Sequence, residues 1–163
     1  LSVFSNQQIG VFTGLTYWFP KMFGRHLNVF WGKVHFWLTI ISFNCIFLPL
    51  FVLGAAGQHR RIFDHSNYPD LAQDWMLQTR QFATIALVAM LVSQAIFLVN
   101  FFVSIFKGKK GERNPYQANT LEWIAPSPPG HGNFEEMPTV YRGPYEYSVE
   151  GRESDFWPQN QPS

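Results

Sequence analysis

The sequence predicts an all-α membrane protein, three transmembrane helices followed by an irregular extended C-terminal tail. Charge distribution is the first observation behind this. Residues 1–106 hold nine charged side chains, six basic and three acidic, whereas residues 107–163 hold fourteen, together with eight of the eleven prolines. The second is a pair of 26-residue runs, Val34–His59 and Gln81–Phe106, that contain no Asp, Glu, Lys or Arg. A bilayer core takes about 20 predominantly apolar residues in a helix and penalises charge at its centre, so each run is long enough to cross. The overall composition agrees: 14% of the 163 residues are charged and 47% hydrophobic, against about 25% charged in an ordinary soluble domain.

The expected transmembrane region is 1–106, with spans near 1–19, 34–57 and 82–106, and the tail is 107–163. The first span is uncharged but carries Ser5, Asn6, Gln7 and Gln8, which suits a helix packed against protein. It lacks the basic start and small-residue cleavage site of a signal peptide. The other two spans are apolar around much of their circumference, as expected where lipid or other helices cover every face. Gly54, Ala55, Ala56, Ala83, Ala86 and Ala89 would let helices approach closely. Pro49 would kink the second span and free a carbonyl. Asn44, Ser93, Gln94 and Asn100 lie within spans with no intramembrane acid beside them, so helix-to-helix hydrogen bonding is favoured over a proton path.

The connections assign sides. Loop 20–33 contains Lys21, Arg25 and Lys33 with no acid, and Lys107, Lys109, Lys110 and Arg113 follow the last span. The positive-inside rule places both on the cytoplasmic or matrix side, so the helices run inward, outward and inward, and the tail is inside. Arg60 and Arg61 then fall at the outer end of the second span, where cations are disfavoured. Two roles fit that position. The arginines could snorkel, anchor the helix end or pair with Asp64, Asp70 and Asp74, or they could clamp an anion held at membrane depth, for which the planar guanidinium fork is suited.

Other classes are excluded or weakened. A net charge of +1, with no basic stripe interleaved with aromatics outside "KGKKGER", gives no reason to expect nucleic acid. Cys45 is a lone thiol in an apolar run. His26, His35, His59, His65 and His131 are scattered, with no i, i+4 pair and no cysteine pair, so no metal site is expected. His35 reads as a structural histidine. In the tail, "NPY", "PSPPG", "HGN" and "RGPY" are turn chemistry and leave little room for regular helix. Yet Trp123, Phe134, Tyr141, Tyr145, Tyr147, Phe156 and Trp157 are too many aromatics for a solvated disordered segment. They predict a strap whose aromatic anchors touch other subunits.

Four ordered blocks, "YWFPKMFGR" with "GKVHFWLTIISFN", "LPLFVLGAAGQHRRI" and "TLEWIAPSPPGHGNFEEMP", resemble the carboxy-terminal quarter of subunit I of the haem-copper oxidases, the cytochrome c oxidase catalytic subunit. The far tail "VYRGPYEYSVEGRESDFWPQN" is similar to extensions of bacterial members. The resemblance implies the last three helices of a twelve-helix bundle, with the orientation already read from charge. It implies that Arg60 and Arg61 meet the propionates of two haems, with His59 as a further candidate. Gln58-His59 stands where the family commonly has Met-Pro, and Leu50-Phe51 where it often has Gln-His.

The resemblance further implies that haem and copper ligands lie on other helices, so this chain holds no catalytic residue and no metal ligand. The activity implied for the assembled complex is reduction of dioxygen to water with electrons from cytochrome c or an equivalent donor, coupled to proton pumping; the isolated chain is expected to be inactive. Implied partners are the remainder of subunit I, subunits II and III, and membrane lipid. A bacterial cytoplasmic membrane is favoured over the mitochondrial inner membrane. The alternative is a non-catalytic accessory or assembly membrane subunit built on the same fold elements.

Overall fold

The computed structural model describes residues 2–59, 61–64, 67–153 and 155–162, and the backbone alone for 2–8. The chain is helical, with α1 (Ser2–Phe23), α2 (Val29–Ala55), a 3-10 turn (Pro69–Leu71), α3 (Asp74–Lys107) and the single turn α4 (Leu121–Ile124). No strand occurs among the described residues; one isolated bridge joins Arg25 to Lys110. Cα packing separates residues 28–101 from a second unit made of residues 1–27 and 102–163.

In the first unit α2 and α3 form an antiparallel hairpin. Asn28 starts α2 as its N-cap, its side chain accepting from the Phe30 and Trp31 amides, which satisfies two donors that the first helical turn leaves without carbonyls. The same residue is clasped by Asn100, which accepts from the Asn28 amide at 3.3 Å and donates to its carbonyl at 3.1 Å. Along α3, Met76, Ala83, Ala86, Ser93, Phe97 and Asn100 are buried; on α2, His35, Ser42, Ile46 and Leu53 are. Steps of three, four and seven keep one stripe facing the partner helix, the seam geometry of helices crossing at a shallow angle.

Ala83 and Ala86 are buried, and small side chains at such positions permit close helix approach. Ser93 donates to the His35 carbonyl at 3.0 Å and shares a 2.7 Å hydrogen bond with Thr39, while Gln94 donates to Thr39 at 3.5 Å. Ser93, Gln94 and Asn100 therefore join helix to helix. Asn44 does not: it is exposed and donates to the Ile40 carbonyl of its own helix. Gly54, Ala55 and Ala56 are exposed too, so within this chain the small residues that pack are those of α3. His35 packs its ring on Phe97, 4.9 Å between centroids, a structural position.

Helix bounds differ from the expected spans for a physical reason. Charge limits what can sit in hydrocarbon but does not stop a helix. The third long helix therefore begins at Asp74, eight residues before the expected 82, with an acid in its first turn where the macrodipole favours it. Asn28 starts α2 five residues before 34. α1 continues through Pro20 to Phe23 rather than stopping at 19. By length and composition α2 and α3 are able to cross a membrane; among the described residues α1 is not one of these. The tail is irregular as expected, except that Leu121–Ile124 form one helical turn.

The second unit is built on α1 and the tail. The backbone of His26 donates to Lys109, and that of Gly111 to Gly24, both at 2.9 Å, while Arg25 reaches the Gly108 carbonyl at 2.7 Å. A Cβ at Gly108 would stand 2.7 Å from the His26 carbonyl, so this approach requires glycine. Basic segments around Arg25 and Lys110, which the charge pattern puts on one side of a membrane, thus lie against each other.

Candidate functional site

The C-terminal end of α2 is closed by a Schellman motif. Gln58 donates to the Leu53 carbonyl and Gly57 to that of Gly54, with Gly57 at φ +94°, a conformation that glycine adopts without cost. The following turn is pinned from beneath by a cluster of Leu53, Leu71 and Met76, with Ile62 packed on it. Arg80 ties it further, donating to the Leu71 carbonyl at 3.2 Å and to Gln58 at 3.4 Å. In the sequence Arg80 only bounds an apolar run; its role as a brace has no local signature.

On this braced turn Arg61 is exposed and held at φ +64°. A non-glycine residue in the left-handed region is uncommon and carries a conformational cost, a pattern that concentrates at ligand clamps and switch points. His59 is exposed, its ring 6.4 Å from that of Tyr68. Arg60 and His65 lie outside the described residues. The other guanidiniums contrast with Arg61. Arg25, Arg80, Arg113 and Arg142 all donate to backbone carbonyls, and Arg152 lies over the Trp157 ring at 4.5 Å. Among the described residues none takes up the Arg61 guanidinium. Its fork is carried on a braced turn, with no partner among the described residues.

Sequence reasoning misses the second cluster. Lys21, buried at the end of α1, aims its ammonium at tail carbonyls: Ala125 at 2.6 Å, Arg113 at 3.2 Å and Trp123 at 3.5 Å. It also lies 5.3 Å from the centroid of the Trp123 ring, within cation–π range. Arg113 donates to the Ala125 and Ile124 carbonyls. Burial holds the Lys21 pKa below its ordinary value, with the nearby Arg113 acting in the same sense and Glu122 opposing. Around this lysine, Tyr17 stacks on Tyr116 at 4.7 Å, and both meet Trp123 edge-on at 5.2 and 4.9 Å. The Trp123 indole donates to the Tyr17 hydroxyl, and the Tyr116 hydroxyl to the Tyr17 carbonyl, each at 3.2 Å. Burial raises the Tyr116 pKa, and Tyr17 adds to it.

The expected aromatic anchors therefore divide. Trp123 is 1% exposed and docks on α1 of its own chain, correcting its assignment to another subunit, whereas Tyr141, Tyr145, Tyr147 and Phe156 remain exposed. Lysine and tryptophan meet across a sequence separation that no periodicity reports. Among the described residues, no three His, Cys, Asp or Glu side chains lie close enough to hold a metal ion.

Residues 3–83, covering α1, α2, the arginine turn and the start of α3, match the family model for cytochrome c and quinol oxidase polypeptide I. The chain belongs to this family. It is 41% identical over 157 residues to the alternative cytochrome c oxidase subunit 1 of Bradyrhizobium diazoefficiens, an alignment covering 93% of this chain and 26% of that protein. It is 39% identical over 150 residues to cytochrome c oxidase subunit 1 of Synechocystis, covering 91% and 26%. Against cytochrome bo(3) ubiquinol oxidase subunit 1 of Buchnera aphidicola it is 38% identical over 134 residues, covering 80% and 19%. The chain thus spans about a quarter or less of the length of these relatives. Family membership agrees with a helical chain carrying two long apolar helices.

Proposed function

We propose that this chain is the carboxy-terminal, three-helix part of the catalytic subunit of a cytochrome c oxidase, and that it completes the haem region and supplies a docking tail. The complex would reduce dioxygen to water with electrons from cytochrome c and pump protons; the isolated chain would be inactive. The observation that carries this reading is the alignment of nearly the whole chain with oxidase subunits 1, together with a braced turn that leaves Arg61 open to an external carboxylate.

Haem, when bound, supplies the iron that carries electrons and binds oxygen. The residues of this chain bind and orient its carboxylates. Arg60 and Arg61 are assigned to the propionates, with His59 within the same turn. A guanidinium fork can engage a carboxylate in bidentate fashion and hold it ionised in a poorly solvated site. The Leu53, Leu71 and Met76 cluster and the Arg80 brace fix the turn, so the orienting cost is met before the cofactor arrives.

Copper and the axial ligands belong to helices outside this chain, and the remaining partners are the rest of subunit I and subunits II and III. Contact between the segments around Arg25 and Lys110 supports one basic face for both, with the tail inside; a bacterial cytoplasmic membrane is favoured over the mitochondrial inner membrane. Residues 1–19 are assigned as the first span, covered by neighbouring helices more than by lipid. The experiment is oxygen uptake by the purified complex carrying this sequence. Reduced cytochrome c is expected to support uptake; uptake with quinol alone would change the donor, and none with either would remove the oxidase function.

A further inference from the structure

The distal tail, proposed above as a docking tail, carries a surface whose chemistry specifies what it docks on. Residues 135–155 contain six carboxylates, Glu135, Glu136, Glu146, Glu150, Glu153 and Asp155, against Arg142 and Arg152, a net charge of −4 in a chain whose total is +1. All six acids are exposed. Both guanidiniums are engaged elsewhere. Arg142 is buried and donates to the Pro158 and Trp157 carbonyls, and Arg152 is stacked on Trp157. Large apolar side chains stand among the acids, with Met137 91% and Tyr145 83% exposed and Tyr141 and Phe156 half exposed.

This surface is shaped in advance. Gln159 is a hub: its amide donates to the Asn119 carbonyl, its carbonyl accepts from Tyr141, and its side chain bonds the Arg142 carbonyl and the Leu121 amide. The loop between is closed by Trp157 donating to the Tyr147 carbonyl, by Ser148 donating to Asp155 at 2.8 Å, and by the Tyr147 and Phe156 rings at 5.4 Å. A solvated tail has no need of such a frame, and preordered aromatic side chains lower the entropic cost of binding.

We propose that this acidic and aromatic face of the tail is the docking site for a basic protein surface of another subunit, one presenting lysine around an apolar patch. Charge complementarity selects the occupant. Anionic lipid headgroups on the inner leaflet attract basic segments and repel a surface of net charge −4, and nucleic acid is repelled in the same way. The proposal rests on the chain being a member of a multi-subunit complex.

The test is zero-length carbodiimide coupling in the purified complex, which joins carboxylates to lysine amines in direct contact, followed by peptide mass spectrometry. Cross-links from Glu146, Glu150 or Glu153 to lysines of a second polypeptide are expected. The double variant Glu150→Lys, Glu153→Lys should reduce retention of that polypeptide at least tenfold in a salt wash that the native complex survives, while Glu112→Lys should not. Cross-links confined to Lys107, Lys109 or Lys110 of the same chain would overturn the proposal, as would no cross-link or undiminished retention. Haem bands in the same preparation report separately on the oxidase reading, and a colourless complex that still cross-links would keep the docking site while removing the oxidase.

Discussion

Replacing Arg61 or Arg60 by alanine should lower the midpoint potential of a haem in the assembled complex by several tens of millivolts. A positive charge beside a propionate favours the reduced, less positive haem, so removing it favours the oxidised state. At an effective dielectric constant of about 20 and a separation of roughly 10 Å, one unit charge is worth about 1.7 kcal/mol, or ~70 mV for a one-electron couple. Uptake of a proton by the released propionate would reduce this figure, because a buried anion without its partner neutralises itself. Arg61→Lys retains the charge and should preserve most of the potential, although it loses the bidentate fork. Redox titration of the visible bands measures the shift. Potentials unchanged in both alanine variants would remove the propionate assignment.

Lys21→Met should loosen the tail. Methionine keeps the apolar stem but removes the donor at 2.6 Å from the Ala125 carbonyl and the cation beside Trp123. Leaving a buried polar group unsatisfied costs about 1–3 kcal/mol, a roughly 5- to 150-fold increase in the undocked population. Arg113 still donates to Ala125 and Ile124, which places the expected value toward the lower end. Hydrogen exchange of the Trp123 and Ala125 amides, bonded to Thr120 and Leu121, should accelerate about tenfold. Lys21→Arg should exchange more slowly than Lys21→Met. Equal exchange in native and methionine forms would show that the aromatic cluster alone holds the tail.

The parts legible in the sequence are those governed by local rules. Two charge-free runs announce α2 and α3 because hydrocarbon excludes charge over a fixed length. Ser93 and Asn100 are recognisable as interhelical residues because no acid accompanies them. Helix ends are less legible, since Asn28 and Asp74 promote helix outside the apolar stretch, and polarity marks the bilayer rather than the cap. Lys21 illustrates the larger gap. In the sequence it is a topological charge, but its carbonyl partner on Ala125 is 104 residues away. Trp123 likewise has the look of an anchor for a neighbour; its aromaticity is informative while its direction is not. The paired arginines can be singled out from their position at the end of an apolar run, whereas the left-handed turn at Arg61 and the brace from Arg80 arise from packing between α2 and α3.

The chain is proposed to complete a haem-bearing oxidase core. The most direct test is to tag the tail-bearing polypeptide, extract it from its native membrane in mild detergent, and record a reduced-minus-oxidised visible spectrum alongside mass spectrometry of everything that co-purifies. Haem bands, with the remaining histidine-rich helices of subunit I present in the same particle, are the predicted result. A colourless preparation lacking those helices would contradict the claim and leave an accessory membrane subunit that shares the family's fold.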